Sequence, residues 1–364
     1  MKNRLVKAKA ALNCMNQRCR QLDLHNIMIQ CGLFDALVRS VMNFGCESWG
    51  VYHMNKLSSS TVAWGSGGQA ELLHRSFLRS IFQVRKSTTV APLMNEARRS
   101  PIMHSWFKLI VGWWNRIVVR PDTDIVMQAL KDNIQEVAFG GKGIGCLDAL
   151  PDMCWGSSFY SMMCTVQPVM VTGMNVHSLR PISVTEGMQS LHTQWYDSIW
   201  GGWAEVPADP ISVRDMPETD SEGFKKATYR RWFCSGIIEK DEGFAYHLQT
   251  PALIKIMATF RLSSHDLYIE LMRHAPDRRT RAQRLCPCCV SNSREDEMHI
   301  LECEVYQDIR ANFADILNVP NNGVSDDYMM QIMNPGRDRQ AWYRLANFLI
   351  RVMAKRTAIL AGLV

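Results

Sequence analysis

The residues best suited to chemistry lie close together in the segment 285–306, which reads LCPCCVSNSREDEMHILECEVY. Cys286 and Cys289 are followed by His299 and Cys303, in the pattern C-x2-C-x9-H-x3-C. Thiolates and an imidazole at such spacings are the usual ligands of a tetrahedral zinc ion. Four protein ligands leave no coordination position open for a substrate. The pattern therefore predicts a structural zinc site rather than a catalytic one.

The residues around these ligands favour the same site. Pro287 bends the chain between the first two cysteines, so both thiolates can point at one centre. His299 and Cys303 are four residues apart, and one helical turn places both on the same face. The linker SNSREDEM is polar and predicts a surface loop, with Glu295 or Asp296 placed to begin that helix.

The chain has 12 cysteines, and this abundance leaves two alternatives open. In the first, the four candidate ligands are ordinary buried thiols, because free cysteines usually pack as small hydrophobic residues. In the second, Cys288, a fifth thiol in the segment, replaces Cys289 as a ligand. The cysteines elsewhere show no pairing pattern, and they are Cys14, Cys19, Cys31, Cys46, Cys146, Cys154, Cys164 and Cys234.

Composition and charge limit the classes of protein to consider. The chain has 364 residues, 47% of them hydrophobic and 21% charged, which allows two or three domains with apolar cores. The net charge of +6 permits a nucleic-acid partner without requiring one. Residues 1–10 lack an apolar core, and charges interrupt the apolar stretches elsewhere. We therefore expect no secretory signal and no membrane span, and free thiols rather than disulfides.

Apolar residues recur at helical spacing along much of the chain, which predicts a mainly α fold. The apolar helix that opens at Pro101 carries three tryptophans, which we expect in a core rather than on a base-stacking surface. The run GGKGIG at 140–145 lacks the spacing of a phosphate-binding loop and predicts a turn. Further helices are expected at 4–22, 25–44, 70–84, 123–138, 185–199, 306–317 and 340–363, and from Pro251 onward.

Changes in composition along the chain predict four successive segments. The first is a helical region, the second a weakly patterned connector with an acidic linker, and the third a basic arm with the zinc module. The fourth is a C-terminal helical segment. Their bounds are 1–120, 121–223, 224–310 and 311–364.

Basic residues are concentrated just before the zinc ligands. Between Pro251 and Leu285 there are seven Lys or Arg and three acidic residues, a local charge of +4. Neutralising phosphates depends on such side chains, so a nucleic-acid surface is expected, with a solvated charged face as the alternative. Tyr229 and Trp232 are candidates for stacking. The candidate phosphate-binding residues are Arg261, Arg273, Arg278, Arg279, Arg281, Arg284, Lys225, Lys226, Arg230 and Arg231.

Three blocks of sequence resemble the carboxy-terminal part of a non-LTR (LINE-type) retrotransposon reverse transcriptase. The blocks RLVKAKAALNCMNQRCRQL and LFDALVRSVMNFGCESWG resemble its helical thumb, and HRSFLRSIFQVRKSTTVAPLMNEARRSPI with WFKLIVGWWNRI resembles the region that follows. The block FRLSSHDLYIELMRHAPDRRTRAQRLCPCC with EDEMHILECEVYQDIR is the most specific, and is similar to the arginine-rich lead-in and terminal CCHC zinc knuckle. The resemblance covers about two thirds of the chain and almost none of residues 120–220.

The resemblance implies a thumb-like region at 1–120 and a structural zinc ion on the four ligands already named. It also places the segment 260–265 and Arg273 on the motif just upstream of the knuckle. RNA, DNA or a template-primer duplex would be the partner, in a nuclear or cytoplasmic ribonucleoprotein rather than in a secreted or membrane protein.

The sequence departs from the family in its catalytic residues. Reverse transcriptases need an aromatic-x-Asp-Asp turn and a further Asp to hold two magnesium ions. Asp326 and Asp327 are adjacent, but they follow the zinc module and lack flanking hydrophobic strands. We therefore expect a nucleic-acid-binding fragment or remnant without polymerase activity. The alternatives are a zinc-stabilised protein-interaction module, a thumb subunit for a separately encoded polymerase palm, and a reading frame with no selected role.

Overall fold

A computed structural model describes residues 2–58, 68–139, 155–172, 174, 177–200, 221–233, 243–274, 276, 279–289, 291–320 and 323–363. These residues form helices and one isolated antiparallel β-bridge, between Leu285 and Arg294, and they contain no β-strand. The prediction of a mainly α fold is thus confirmed. The run GGKGIG and residues 201–220 of the predicted acidic linker lie outside the described residues.

An observed helix overlaps each predicted one, but the predicted helix 25–44 contains a π-helical turn, and only Gln307–Ala311 of the predicted helix 306–317 is α-helical. The longer helices are Lys2–Gln21, Cys46–Ser58, Gln69–Phe82, Ile102–Val118, Ile125–Phe139, Trp155–Val166, Val184–Trp200, Pro251–Arg261 and Arg339–Leu360. The shorter α-helices are Ile27–Leu33, Ser40–Asn43, Val90–Glu96, Ser221–Thr228, Phe244–His247, Tyr268–Leu271, His299–Glu302, Gln307–Ala311 and Asp326–Ile332. Two π-helical turns, Phe34–Arg39 and Tyr229–Phe233, and four 3-10 turns, Pro168–Met170, Met272–His274, Arg281–Gln283 and Glu304–Tyr306, complete the set within the described residues.

The chain divides into two compact units that are interleaved along the sequence. The first unit comprises Met1–Met15, Phe34–His74 and Ser100–Gly201. The second comprises Asn16–Leu33, Arg75–Arg99 and Gly202–Val364. The segments 224–310 and 311–364, which the sequence analysis treats separately, therefore both belong to the second unit.

The core of the first unit is built around the helix Ile102–Val118. Trp106 and Trp114 are buried, as predicted, whereas Trp113 is only partly buried. The Trp114 ring stacks on Phe159 with 4.4 Å between ring centroids. Large aromatic surfaces removed from water in this way are a main source of stability.

In the core of the second unit, the helix Pro251–Arg261 packs on the closing helix Arg339–Leu360. Pro251 occupies the first turn, where the missing N–H costs no helical hydrogen bond. Thr250 lies at the N-cap position, but its side chain makes no capping hydrogen bond. The buried residues of the closing helix include Trp342, Leu345, Phe348, Leu349 and Val352.

Within the described residues, no single helix is long and apolar enough to cross a membrane. One bent pair, Ile27–Asn43 with Cys46–Met54, reaches the required length and composition only when its two parts are taken together.

Candidate metal centre

The four predicted ligands come together in the second unit. The ligand atoms of Cys286, Cys289, His299 and Cys303 all lie within 4.8 Å of one another, so the group can hold a metal ion. A short connection from the β-bridge carries the first two cysteines. His299 begins the helix His299–Glu302, and Cys303 follows its last residue.

Backbone hydrogen bonds shape the segment that carries the first two cysteines. Leu285 and Arg294 form the antiparallel bridge, and the N–H of Cys286 donates to the carbonyl of Ser293 at 2.8 Å. The N–H of Cys288 points back at Cys286 Sγ at 3.4 Å. This N–H to sulfur contact folds the chain tightly after Cys286, as the proline at the next position predicts.

The dimensions of the cluster suit a tetrahedral ion bound mainly by sulfur. Metal–sulfur bonds of about 2.3 Å place two sulfurs of a tetrahedron about 3.8 Å apart, with a somewhat shorter sulfur–nitrogen separation. Cys289 Sγ lies 3.4 Å from His299 Nε2, close to the latter separation. Three of the four ligands are buried, so a bound ion would be largely shielded from water.

The protonation of the cluster depends on its own contacts. A hydrogen bond with Cys303, together with burial, raises the pKa of the Cys286 thiol to about 12. Burial alone lowers the pKa of His299, but hydrogen bonds with Cys286 and Cys289 outweigh burial and raise it. Metal ligands must be thiolates and neutral imidazole, so a cation that binds here has to displace these protons.

Cys288 belongs to a second, smaller group. Its sulfur lies within 4.8 Å of the ligand atoms of Cys286 and Glu295. That group offers only three ligands, and both carboxylate oxygens of Glu295 are engaged by Arg356. The four-ligand group, which contains Cys289 instead, is therefore the better metal site.

The linker between the two ligand pairs differs from the predicted surface loop. Ser291 and Asn292 are exposed, but residues 295–298 are buried. Asp296 Oδ1 accepts a hydrogen bond from the N–H of His299 at 2.9 Å and so supports the first residue of this helix, but the N-cap position is Met298 and not Glu295 or Asp296 as predicted. Asp296 Oδ2 accepts two bonds from Arg294, at 2.9 and 3.0 Å. The carboxylate can be buried because both of its oxygens accept hydrogen bonds.

Two further buried carboxylates of the linker, Glu295 and Glu297, are held by partners from outside the segment. Arg356 on the closing helix binds Glu295 in a two-pronged ion pair at 2.5 and 2.7 Å. His265 Nε2 lies 2.9 Å from Glu297, and although burial opposes ionisation, His265 holds the pKa of Glu297 below its usual value. Sequence reasoning missed both partners, because neither lies at a local spacing that would indicate the contact.

The structure contradicts the prediction that Arg261 contacts phosphate. Its side chain is only 1% exposed. The Nε atom pairs with Glu96 at 2.6 Å, and the two terminal nitrogens donate to the carbonyls of Met333 and Phe233, each at 2.5 Å. The guanidinium is a structural link in the core of the second unit and has no surface left for a ligand.

Four other predicted phosphate contacts are also held inside the second unit. Arg281 and Arg284 are buried, and Arg284 donates to the carbonyl of Ile269 at 3.0 Å. Arg273 and Lys225 both pair with Glu270, at 2.8 and 2.7 Å. Burial and ion pairing remove these cations from the candidate surface.

The two predicted stacking residues are buried as well, so that prediction is wrong. The Tyr229 hydroxyl donates to Glu96 at 3.0 Å, and Trp232 Nε1 donates to Asp326 at 2.6 Å. Among the other candidate cations, Arg279 is exposed, and Arg278 lies outside the described residues. The partly buried candidates are Lys226, Arg230 and Arg231.

Comparison of the chain with protein-family models, with curated proteins and with solved structures found no match in any of the three. The resemblance to LINE-type reverse transcriptases therefore rests on the quoted sequence blocks alone. Any functional assignment has to be argued from the ligand cluster and from the distribution of exposed charge.

Proposed function

We propose that this chain is a zinc-stabilised, non-catalytic nucleic-acid-binding protein, related to the thumb and zinc knuckle of a non-LTR retrotransposon reverse transcriptase. The observation that supports nucleic-acid binding is the charge of the helix Lys2–Gln21, which has six basic and no acidic residues. Its exposed cations are Lys7, Lys9, Arg18 and Arg20. Among the described residues, none of these four forms an ion pair with a carboxylate.

Zinc is the proposed ion because three thiolates and one imidazole are ligands that magnesium and calcium do not favour. The ion would have a structural role, since a closed set of ligands offers no site for substrate. Its binding free energy would contribute directly to folding of the second unit around the knuckle.

Metal analysis tests the zinc site. The purified chain should hold one zinc ion, and Cys286→Ser and His299→Ala should each lose it. Cys14→Ser is the matched control, since Cys14 is exposed on the helix Lys2–Gln21 and lies outside the cluster. Equal zinc content in all four proteins would show that the site is misassigned.

Nucleic-acid binding is tested by the salt dependence of affinity for a labelled RNA. Each phosphate neutralised adds about 0.7 to about 0.9 to the slope of log affinity against log salt. Changing both Lys7 and Lys9 to Gln should weaken binding and lower that slope by about 2. Arg344→Gln with Lys355→Gln is the control, because it also removes two positive charges. Both of those cations already pair with aspartates, so we do not expect them to contact phosphates.

Two results would contradict the binding proposal. One is an intact chain that shows no salt-sensitive binding to RNA or DNA. The other is an equal loss of affinity in the control pair, which would mean that net charge alone governs binding. An equal salt slope for unrelated polyanions would instead favour an acidic protein partner.

A further inference from the structure

Phe44 is unusually exposed for an aromatic residue of the first unit. Its side chain is 75% exposed, whereas the next most exposed large aromatic residue among the described ones, Tyr246, is 45% exposed. Burying such a ring normally stabilises a fold, and an exposed one leaves its aromatic face available to a ligand.

The backbone around Phe44 fixes the ring at the surface. Phe44 follows the helix Ser40–Asn43, and Gly45 turns the chain with a φ of +63° before the helix Cys46–Ser58. Glycine adopts this left-handed conformation without strain. Trp49 Nε1 donates to the carbonyl of Phe44 at 3.1 Å and so holds the turn in place. The exposure is thus a consequence of the turn between two helices.

A cation lies next to the exposed ring. The guanidinium carbon of Arg4 is 5.8 Å from the centroid of the Phe44 ring and 5.0 Å from that of Trp49. Lys7, three residues further along the same helix, is exposed and lies on the same side as Arg4. This part of the first unit therefore presents an aromatic ring beside one positive charge, with a second positive charge one helical turn further along.

We propose that Phe44 stacks on one base of a single-stranded nucleic acid while Arg4 and Lys7 contact the adjoining phosphates. An aromatic ring beside cations suits a nucleotide, because every base has a face that stacks and every nucleotide carries a phosphate. Bases inside a duplex are already stacked and cannot use the ring. Glu47, in the first turn of the helix that follows Phe44, would repel a phosphate. We therefore assign the phosphate contacts to the helix Lys2–Gln21. This inference rests on the proposed nucleic-acid-binding function and assigns it a contact site.

The test measures binding of the full-length chain to a labelled single strand of about 12 nucleotides that contains 5-iodouracil. Phe44→Leu, which keeps an apolar side chain but removes the aromatic face, should bind at least about fivefold more weakly. Phe44→Tyr should bind as the unchanged chain does. Both variants should keep the thermal unfolding midpoint, because the side chain is exposed. Irradiation should cross-link the oligonucleotide to Phe44, as mapped by peptide mass spectrometry.

The outcomes separate this inference from the function on which it rests. Binding that Phe44→Leu leaves unchanged, with cross-links elsewhere, would overturn the stacking site and leave nucleic-acid binding intact. A chain that binds no oligonucleotide would overturn both. If Phe44→Leu converted a dimer into a monomer without affecting the oligonucleotide, the ring would serve contact between copies, and the inference would be wrong.

Discussion

The ion pair between Glu295 and Arg356 joins the segment that carries the four candidate ligands to the closing helix, and its removal tests how firmly this candidate metal centre is held. The paired atoms are 2.5 and 2.7 Å apart, and the side chains are 1% and 4% exposed. Arg356→Met would leave the Glu295 carboxylate buried without its partner. Breaking a buried pair from one side costs about 3–5 kcal/mol, so we expect the free energy of unfolding to fall by that amount.

A double substitution separates the loss of the pair from the burial of an isolated charge. Glu295→Gln with Arg356→Met removes both charges together. The amide oxygen of the new glutamine can still accept the hydrogen bond that the N–H of Tyr268 donates to Glu295, at 2.6 Å. We therefore expect the double variant to be more stable than Arg356→Met alone, by about 2 kcal/mol.

Urea unfolding of the metal-loaded chain provides the assay, followed by tryptophan fluorescence and by metal release to a chromogenic chelator. Metal should be released at a lower urea concentration in Arg356→Met than in the unchanged chain, because Glu295 lies within the segment that carries the ligands. Lys355→Met is the control, since Lys355 is the neighbouring residue on the same helix and pairs with Asp308 at the surface. Equal stability of Arg356→Met and Lys355→Met would refute the reasoning.

Three further predictions follow from the same structure. Metal affinity, measured by competition with a chelator, should fall as the pH is lowered from 7.5 to 5.5, because protons compete for His299 and the thiols, and no change would argue against these ligands. Arg261→Met should lower the free energy of unfolding by about 3–5 kcal/mol without changing the salt slope of RNA binding, whereas Arg279→Ala should leave stability unchanged. Burial, with His192 nearby, lowers the pKa of His104 to about 3. Below about pH 6.5 the His104 imidazole is therefore protonated in the unfolded chain but not in the folded chain. The free energy of unfolding is greatest above that pH and falls as the pH is lowered towards 3. His104→Leu should flatten this pH dependence in urea unfolding.

Local patterns were enough to predict the helices and the clustering of the four candidate metal ligands. The helix Pro251–Arg261 follows from a proline in the first turn and apolar residues at helical spacing, and both are properties of adjacent sequence. The cluster of four candidate ligands follows from short spacings, because a turn and one helical turn are enough to bring them together. Neither inference needs any knowledge of distant contacts.

Two of the predictions that failed concern charged residues whose partners lie far away in the sequence. The polar linker SNSREDEM looked suited to a surface, yet its Glu295 is buried and pairs with an arginine 61 positions away. In the same way, Arg261 looked available for phosphate, yet it pairs with Glu96, which lies 165 positions earlier. A charged residue is expected at the surface unless its partner is known, and sequence spacing does not reveal such partners.

Arginine is ambiguous for a chemical reason that this chain illustrates. A planar guanidinium with five donors binds phosphate well, but the same fork also satisfies buried carboxylates and carbonyls. Arg261 uses three of its nitrogens in this second way, and Arg284 donates to a backbone carbonyl. A high density of arginine before the candidate metal ligands is therefore as consistent with holding that segment in its unit as with binding nucleic acid. Exposed cations without carboxylate partners, such as Lys7 and Lys9, are the better guide to a phosphate surface.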